Sequence, residues 1–231
     1  MPYNYFYFDP TYILVIIAFA LTMFASFGVQ STFKKYDKVY SSRGLTAAEA
    51  ARKILDANGL QHIRIEHVAG DLTDHFSPKE NVIRLSDATY NSNSVAAIGV
   101  AAHECGHAVQ HQVGYVPIRI RNSIVPFVNV SNWLSMPLFI IGIIMGSFGL
   151  AVAGAILFGM VLVFQLVTLP TEIDASKRAM RTLEGMYLLD GDELVGAKKT
   201  LTAAAMTYVA AVASTALQFL RLLMLANRRR D

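Results

Sequence analysis

Along the chain, long stretches without charge alternate with ordinary polar stretches. Residues 12–28, 125–145 and 150–169 contain no charged side chain, and residues 201–226 contain only Arg221. Each run, with its flanking residues, approaches or exceeds the roughly 20 apolar residues needed to cross about 30 Å of hydrocarbon. The middle two are separated only by Gly146, Ser147, Phe148 and Gly149. So short a link predicts an antiparallel hairpin that returns the chain to the side it left. Between the runs lie two polar segments, about 31–124 and 170–200. In the first, Thr46 followed by Glu49 predicts a capping box opening a helix over 45–58, with Gly59 closing it. Ile63, Ile65 and then residues 81–86 alternate as short strands do. Ser92, Asn93 or Ser94 can cap a second helix, about 95–112, whose first half is small and apolar on every side and is therefore expected to be buried. Pro170 and Thr171 suit a helix start, and Asp190 with Glu193 suits another N-cap. The expected fold is a mainly α membrane protein with a small β element and about four hydrophobic helices. No repeat or linker divides it, so residues 1–231 read as one integrated unit.

Composition sharpens this picture. Of 231 residues 54% are hydrophobic and 16% charged, where a soluble globule carries about 25% charged residues. The single cysteine, Cys105, excludes an internal disulfide. A net charge of +3 with scattered basic residues gives no basis for nucleic-acid binding. The N-terminus, MPYNYFYFDP, lacks the basic start of a secretion signal, and its aromatics suit a membrane-interface belt. Lys34, Lys35, Lys38 and Arg43 follow the first run, so the positive-inside bias predicts a multi-pass cell-membrane protein whose polar segments face the cytoplasm. The basic ending, Arg228 to Arg230, runs against that bias if all four runs cross, which leaves open whether 201–226 spans fully. Arg221 is expected to snorkel toward an interface, and Trp133 with Asn129, Ser131 and Asn132 marks an interfacial or protein-packed start of the second run.

The chemistry is concentrated in the expected buried helix, where His103-Glu104-Cys105-Gly106-His107 has the HExxH pattern of zinc metallopeptidases. Residues i and i+4 share a helix face, so His103 and His107 can direct imidazole nitrogens at one ion. Glu104 lies about 100° round the helix and can reach a zinc-activated water, accept its proton and deliver it to the leaving amine. Two histidines buried without partners in an Ala- and Val-rich helix would be costly, which weighs against a purely structural role. Catalytic zinc takes a third protein ligand. His111, about 12 Å along the axis from His103, is too far on an unbroken helix, and is expected to be a substrate-side or helix-end polar residue. Glu172 is the expected third ligand, since two crossings bring it back to the side of His103 and His107; Asp174 is its main rival. Tyr208 and His75 are candidate donors to the oxyanion of a tetrahedral intermediate. Asp190 fits a helix cap better than a catalytic aspartate, and Cys105 fits a packed small residue better than a redox switch.

The HECGH run preceded by Ile98-Gly-Val-Ala-Ala102, together with Leu72-Thr-Asp-His-Phe-Ser-Pro78, Val82-Ile-Arg-Leu-Ser86 and Glu172-Ile-Asp-Ala-Ser-Lys-Arg-Ala179, resembles bacterial membrane zinc metallopeptidases of the YugP type over nearly the whole chain. More distantly it is similar to the HtpX and CAAX-prenyl-protease gluzincins. The resemblance implies a zincin-like core of an HExxH helix and a glutamate helix. It also implies one zinc per chain on His103, His107 and Glu172, Glu104 as base, and a strand such as 82–86 pairing with the substrate backbone. The distant relatives place an aspartate four residues after the glutamate ligand, where this chain has Ser176, so support of the zinc histidines would fall to Asp174 or Asp74. The expected function is an integral-membrane zinc endopeptidase acting on membrane-associated or misfolded polypeptides, with the lipid bilayer as its other partner. A site-2-type intramembrane protease and a non-catalytic zinc-binding scaffold are the alternatives. A homo-oligomer or a membrane partner protein stays open.

Overall fold

The computed structural model describes residues 9–228. Residues 1–8, with most of the expected aromatic belt, and Arg229 and Arg230 of the basic ending lie outside the described residues. The order of elements is α1 (Tyr12–Tyr36), α2 (Ala47–Ala57), β1 (Arg64–His67), β2 (His75–Ser77), β3 (Val82–Leu85), α3 (Val95–Gln112), α4 (Val116–Ile144), α5 (Phe148–Gly185) and α6 (Gly191–Asn227). This is the mainly helical fold with a small sheet that the pattern predicts. Four of the helices, α1, α4, α5 and α6, are long and apolar enough to cross a membrane. Their apolar windows are poorly covered by protein, from 6% buried in α1 to 28% in α4 and α6. Phe24 is 73% exposed and Trp133 78%. Aromatic surface on that scale is unfavourable in water and suits lipid contact.

Local chemistry sets the helix ends. Thr46 accepts from Glu49 N at 3.2 Å while the Glu49 carboxylate accepts from Thr46 N at 2.8 Å, closing the predicted capping box. Gly59 follows the cap residue Asn58 with φ +72°, a conformation that favours glycine. Ser94 is the N-cap of α3, its hydroxyl accepting from Ala97 N at 3.1 Å. Two expectations need correcting. Pro170 does not start a helix: α5 runs unbroken through it, as membrane helices tolerate where neighbouring groups take up the freed backbone polarity. Glu172 is thus deep inside α5 rather than in a first turn. Asp190 does precede α6, but Glu193 accepts from Ser42 N at 2.7 Å instead of completing a capping box.

The chain divides into two compact units. One comprises α1 up to Phe24, Ser123–Leu166, and α6 from Val209 onward. In it α4 and α5 form the expected hairpin, turning at Gly146 with φ +65°. A Cβ on Gly154 would meet Phe139 N at 2.5 Å, so the two backbones touch where side chains are absent, the small-residue packing typical of membrane helices. Ser214 Oγ donates to Ala18 O at 2.9 Å and lies 3.0 Å from Thr22 Oγ1, joining α1 to α6. Arg221 stacks over Tyr12, 4.7 Å from the ring centre, and Arg228 pairs with Asp9 at 3.2 Å.

The other unit, Ala25–Asn122 and Val167–Tyr208, holds the larger core. The sheet has the order β1-β3-β2, with β1 parallel and β2 antiparallel to β3. Buried α3 lies against α2, α5 and α6. Gly99 faces Ala197 of α6, and Gly106 faces the backbone of Ala175 in α5. Small residues all round α3 are what let three helices approach it.

Candidate metal centre

Helix α3 projects His103 and His107 from adjacent turns of one face, and α5 brings Glu172 to meet them. The Glu172 carboxylate oxygen Oε2 lies 3.3 Å from His103 Nε2 and 3.4 Å from His107 Nε2. The three ligand atoms lie within 4.8 Å of one another. Both histidine side chains are largely buried and Glu172 almost wholly so. The imidazole rings stand 4.6 Å apart at 87°, so their Nε2 edges converge instead of stacking. Such a carboxylate, removed from water and facing two imidazole nitrogens, is costly unless a cation or protons compensate it. Two imidazoles and one carboxylate are also the donor set of a catalytic zinc site that keeps a position open. The residues present therefore fit a divalent ion such as zinc.

Each histidine is held from behind. His103 Nδ1 contacts Ser176 Oγ at 3.1 Å. His107 Nδ1 lies 3.0 Å from Gln110 Oε1. Gln110 is fully buried, and its amide nitrogen donates to Thr171 O and to Asp174 Oδ2, both at 2.8 Å. Because its NH₂ faces two acceptors, its oxygen must face His107, which places the proton on Nδ1 and leaves Nε2 free to ligate. Asp174 in turn takes Arg178 Nε at 2.6 Å. Asp174 is therefore no rival ligand; it supports His107 through Gln110. Ser176 supports His103 directly, at the position where the distant relatives have aspartate. Asp74 accepts from Ser86 N and Oγ at 2.8 and 2.9 Å, so it anchors a loop.

The cluster opens on a cleft of about 280 Å³. Glu104, 8% exposed, lines it with His103, Glu172 and Tyr208, and Tyr208 is close enough to feel the charges of Glu172, Glu104 and Arg121. His111 points elsewhere, its ring edge-on to Phe76 at 6.1 Å. His75 contacts Thr73 O at 2.9 Å and is not among the cleft residues. Cys105 is fully buried with its thiol 3.6 Å from Ala51 O; burial foremost, with the Glu104 charge, pushes its pKa far up. That is the chemistry of a packed, inert cysteine.

With this geometry in place, residues 11–227 match the family described as "Putative neutral zinc metallopeptidase". The chain belongs to this family. It is 44% identical over 218 residues to "Putative membrane protease YugP" of Bacillus subtilis (strain 168), covering 94% of this chain and 97% of that protein. No solved structure matches the chain.

Gln110 and Gly106 are the site residues that sequence reasoning overlooked, and Ser176, named only as a missing aspartate, is the one that contacts His103. Gln110 follows His107 by three residues and shares its helix face, a spacing that could have singled it out. The signal for Gly106 was its place inside the motif, on a helix too small-sided to be packed by side chains alone.

Proposed function

We propose that the chain is an integral-membrane zinc endopeptidase that hydrolyses peptide bonds of membrane-associated or misfolded polypeptides at the cytoplasmic face of the cell membrane. The observation that carries this reading is the convergence of His103 Nε2, His107 Nε2 and Glu172 Oε2 beside the buried Glu104 at the mouth of a cleft. His103, His107 and Glu172 would hold one zinc per chain. Zinc bound there would supply Lewis acidity to a water and to the scissile carbonyl. Glu104 has no place among the three converging donors, which leaves its carboxylate to accept a proton from the attacking water and pass it to the leaving nitrogen. Tyr208 lines the same cleft with its hydroxyl hydrogen-bonded to Glu172, and once an ion engages Glu172 that hydroxyl can donate to the developing oxyanion instead. The substrate backbone finds no room on β3, since β1 and β2 occupy both its edges; the strand-pairing role implied by the family resemblance passes to the edge strand β2, which follows the cleft residues Leu72 and Asp74.

Two observations favour the cytoplasmic membrane boundary over a site within the bilayer. Helix α5 has 38 residues, about 57 Å at 1.5 Å each, against about 30 Å of hydrocarbon. Counted from Phe148, about twenty residues exhaust the bilayer, and Glu172 falls just beyond. The catalytic unit also takes the C-terminal part of α1, with Lys34 and Lys35 in its last turn, the N-terminal part of α4, the C-terminal part of α5 and the N-terminal part of α6. Alternate crossings put those four ends on one side, and the lysines after α1 favour the cytoplasm for it by the positive-inside bias.

The test is Glu104→Gln in the purified, zinc-loaded chain. The variant is expected to keep its zinc, measured by metal analysis, and to lose roughly 10²- to 10⁴-fold in cleavage of an unfolded protein substrate. Full activity in Glu104→Gln would sink the proposal. Comparing membrane proteomes of cells carrying each form would then name the substrates.

A further inference from the structure

The cleft above the histidines has a neighbour across its far wall. A second cavity of about 650 Å³ lies between α5 and α6 and shares Ser176, Leu201 and Ala205 with the first. Ser176 is the residue bonded to His103, so the shared wall begins one side chain from the metal ligands. The two cavities differ in charge. Acidic groups, Asp74, Glu104 and Glu172, line the first. Three exposed cations line the second: Lys177 and Arg181, one turn apart on α5, and Lys198 on α6, against the single acid Glu184. Among the described residues none of these cations makes an ion pair or a hydrogen bond; the neighbouring Arg178 is tied directly to Asp174, whose charge Arg181 also feels. Between them the walls are apolar, with Met180, Leu194 and Leu201.

We propose that this groove is a substrate-selecting subsite that takes an acidic, partly apolar segment of the polypeptide, lying to one side of the bond to be cut. The inference rests on the peptidase reading above and adds the substrate class. Cations set in an apolar-walled concavity focus their field on an entering ligand, and the apolar floor gives the same segment a place for aliphatic side chains. Adjacency to the catalytic cleft across Ser176, Leu201 and Ala205 favours a polypeptide over a lipid as the occupant, because an extended chain lying over the metal cluster reaches past that wall on one side. Exposed charge pairs contribute a few-fold each, so three give a preference of roughly tenfold at low salt.

The experiment uses the full chain in neutral detergent, loaded with zinc, and two short rhodamine-labelled peptides of Ala, Leu and Ser that differ only in carrying two Asp or two Asn. Binding is read by anisotropy in the Glu104→Gln form, which reports on the groove whether or not the native chain is a peptidase. The Asp peptide is expected to bind roughly tenfold tighter at low salt, with the difference shrinking as salt rises. It should vanish or invert in Lys177→Glu/Arg181→Glu, and fall in Lys198→Glu on the other helix. The same preference should appear in kcat/KM of the native chain and be lost in the groove variants. Equal binding of the two peptides overturns the proposal, even if both are cut. A charge-reversal effect seen only on adding anionic-lipid vesicles, with the two peptides alike, overturns it in favour of a lipid headgroup. Acidic-peptide binding without cleavage by the native chain leaves the groove standing and sinks the peptidase reading instead.

Discussion

At the residue scale, the proposed metal site rests on side chains outside the three converging donors. Gln110 contributes one acceptor and two donors to a fully buried position, and all three are used on groups that hold the two ligand helices together. Thr171, whose carbonyl it binds, is the neighbour of Glu172. Replacing Gln110 by Met keeps the volume and removes every one of these bonds. It should weaken zinc binding about 10- to 100-fold, the usual cost of losing a ligand's supporting partner. Chelator competition measures this, with circular dichroism to check that the fold remains; unchanged zinc affinity would show that the relay does not position His107. A second prediction concerns pH. Burial by itself lowers the His107 pKa, but the hydrogen bond to Glu172, the charges of Glu104 and Glu172 and the Gln110 contact outweigh it, so the value ends above the ordinary 6.5. In the metal-free protein a raised histidine pKa stabilises on the acid side, and the contribution is lost as pH rises through the folded value. Zinc must displace that proton. The increase in melting temperature on adding zinc should therefore grow from about pH 6 to about pH 8, and a flat profile would contradict the assignment of His107 as a ligand.

At the element scale, the site exists because α3 and α5 approach closely enough for a side chain on one to reach side chains on the other. Gly106 permits that approach: a Cβ there would lie 2.6 Å from Ala175 O and 3.2 Å from its Cα, both backbone atoms that cannot swing away. Gly106→Ala should push α5 outward, cost about 1–3 kcal/mol of stability by overpacking, and separate Glu172 from the histidines. Gly185→Ala, at a position with nothing within 4 Å, should be close to neutral. Thermal unfolding and zinc titration of both variants test this pair, and equal zinc affinity in Gly106→Ala and the native chain would show that the close approach is dispensable. Much of the architecture was legible beforehand because caps are local: Thr46 with Glu49 and Ser94 hold their helix starts by bonds within three residues. HExxH was legible for the same reason, since its spacing is set by one helix. What escaped depended on neighbours distant in sequence. Pro170 reads as a helix start in isolation, yet α5 passes through it. Val82–Leu85 reads as a strand, but whether its edges are free depends on β1 and β2. The service of Ser176 in place of an aspartate, and of Asp174 through Gln110, became visible only when α5 lay against α3.

For the whole molecule, the question is which side of the membrane the three proposed metal ligands occupy. The positive-inside bias and the basic C-terminus point in opposite directions, and Arg228, held by Asp9 in a 3.2 Å pair, is a poor free marker of sidedness. A direct answer is accessible because the one native cysteine is silent. Cys105 has no exposed surface, and burial foremost holds its thiol far above the range in which it reacts. Single cysteines can therefore be introduced without removing it. Met145, exposed at the turn between α4 and α5, and Lys79, exposed in the loop between β2 and β3, report on the two faces that alternate crossings would separate. With a membrane-impermeant maleimide, intact cells should label Met145→Cys and spare Lys79→Cys, and lysed cells should label both. The native chain should stay unlabelled throughout until it is unfolded. Labelling of Lys79→Cys in intact cells would put His103, His107 and Glu172 on the outer face and restrict substrates to polypeptides that reach it from outside. If Met145→Cys is spared as well until lysis, then α4 and α5 do not both cross. The hairpin would then not be what returns Glu172 to the histidines, even though the three donors meet.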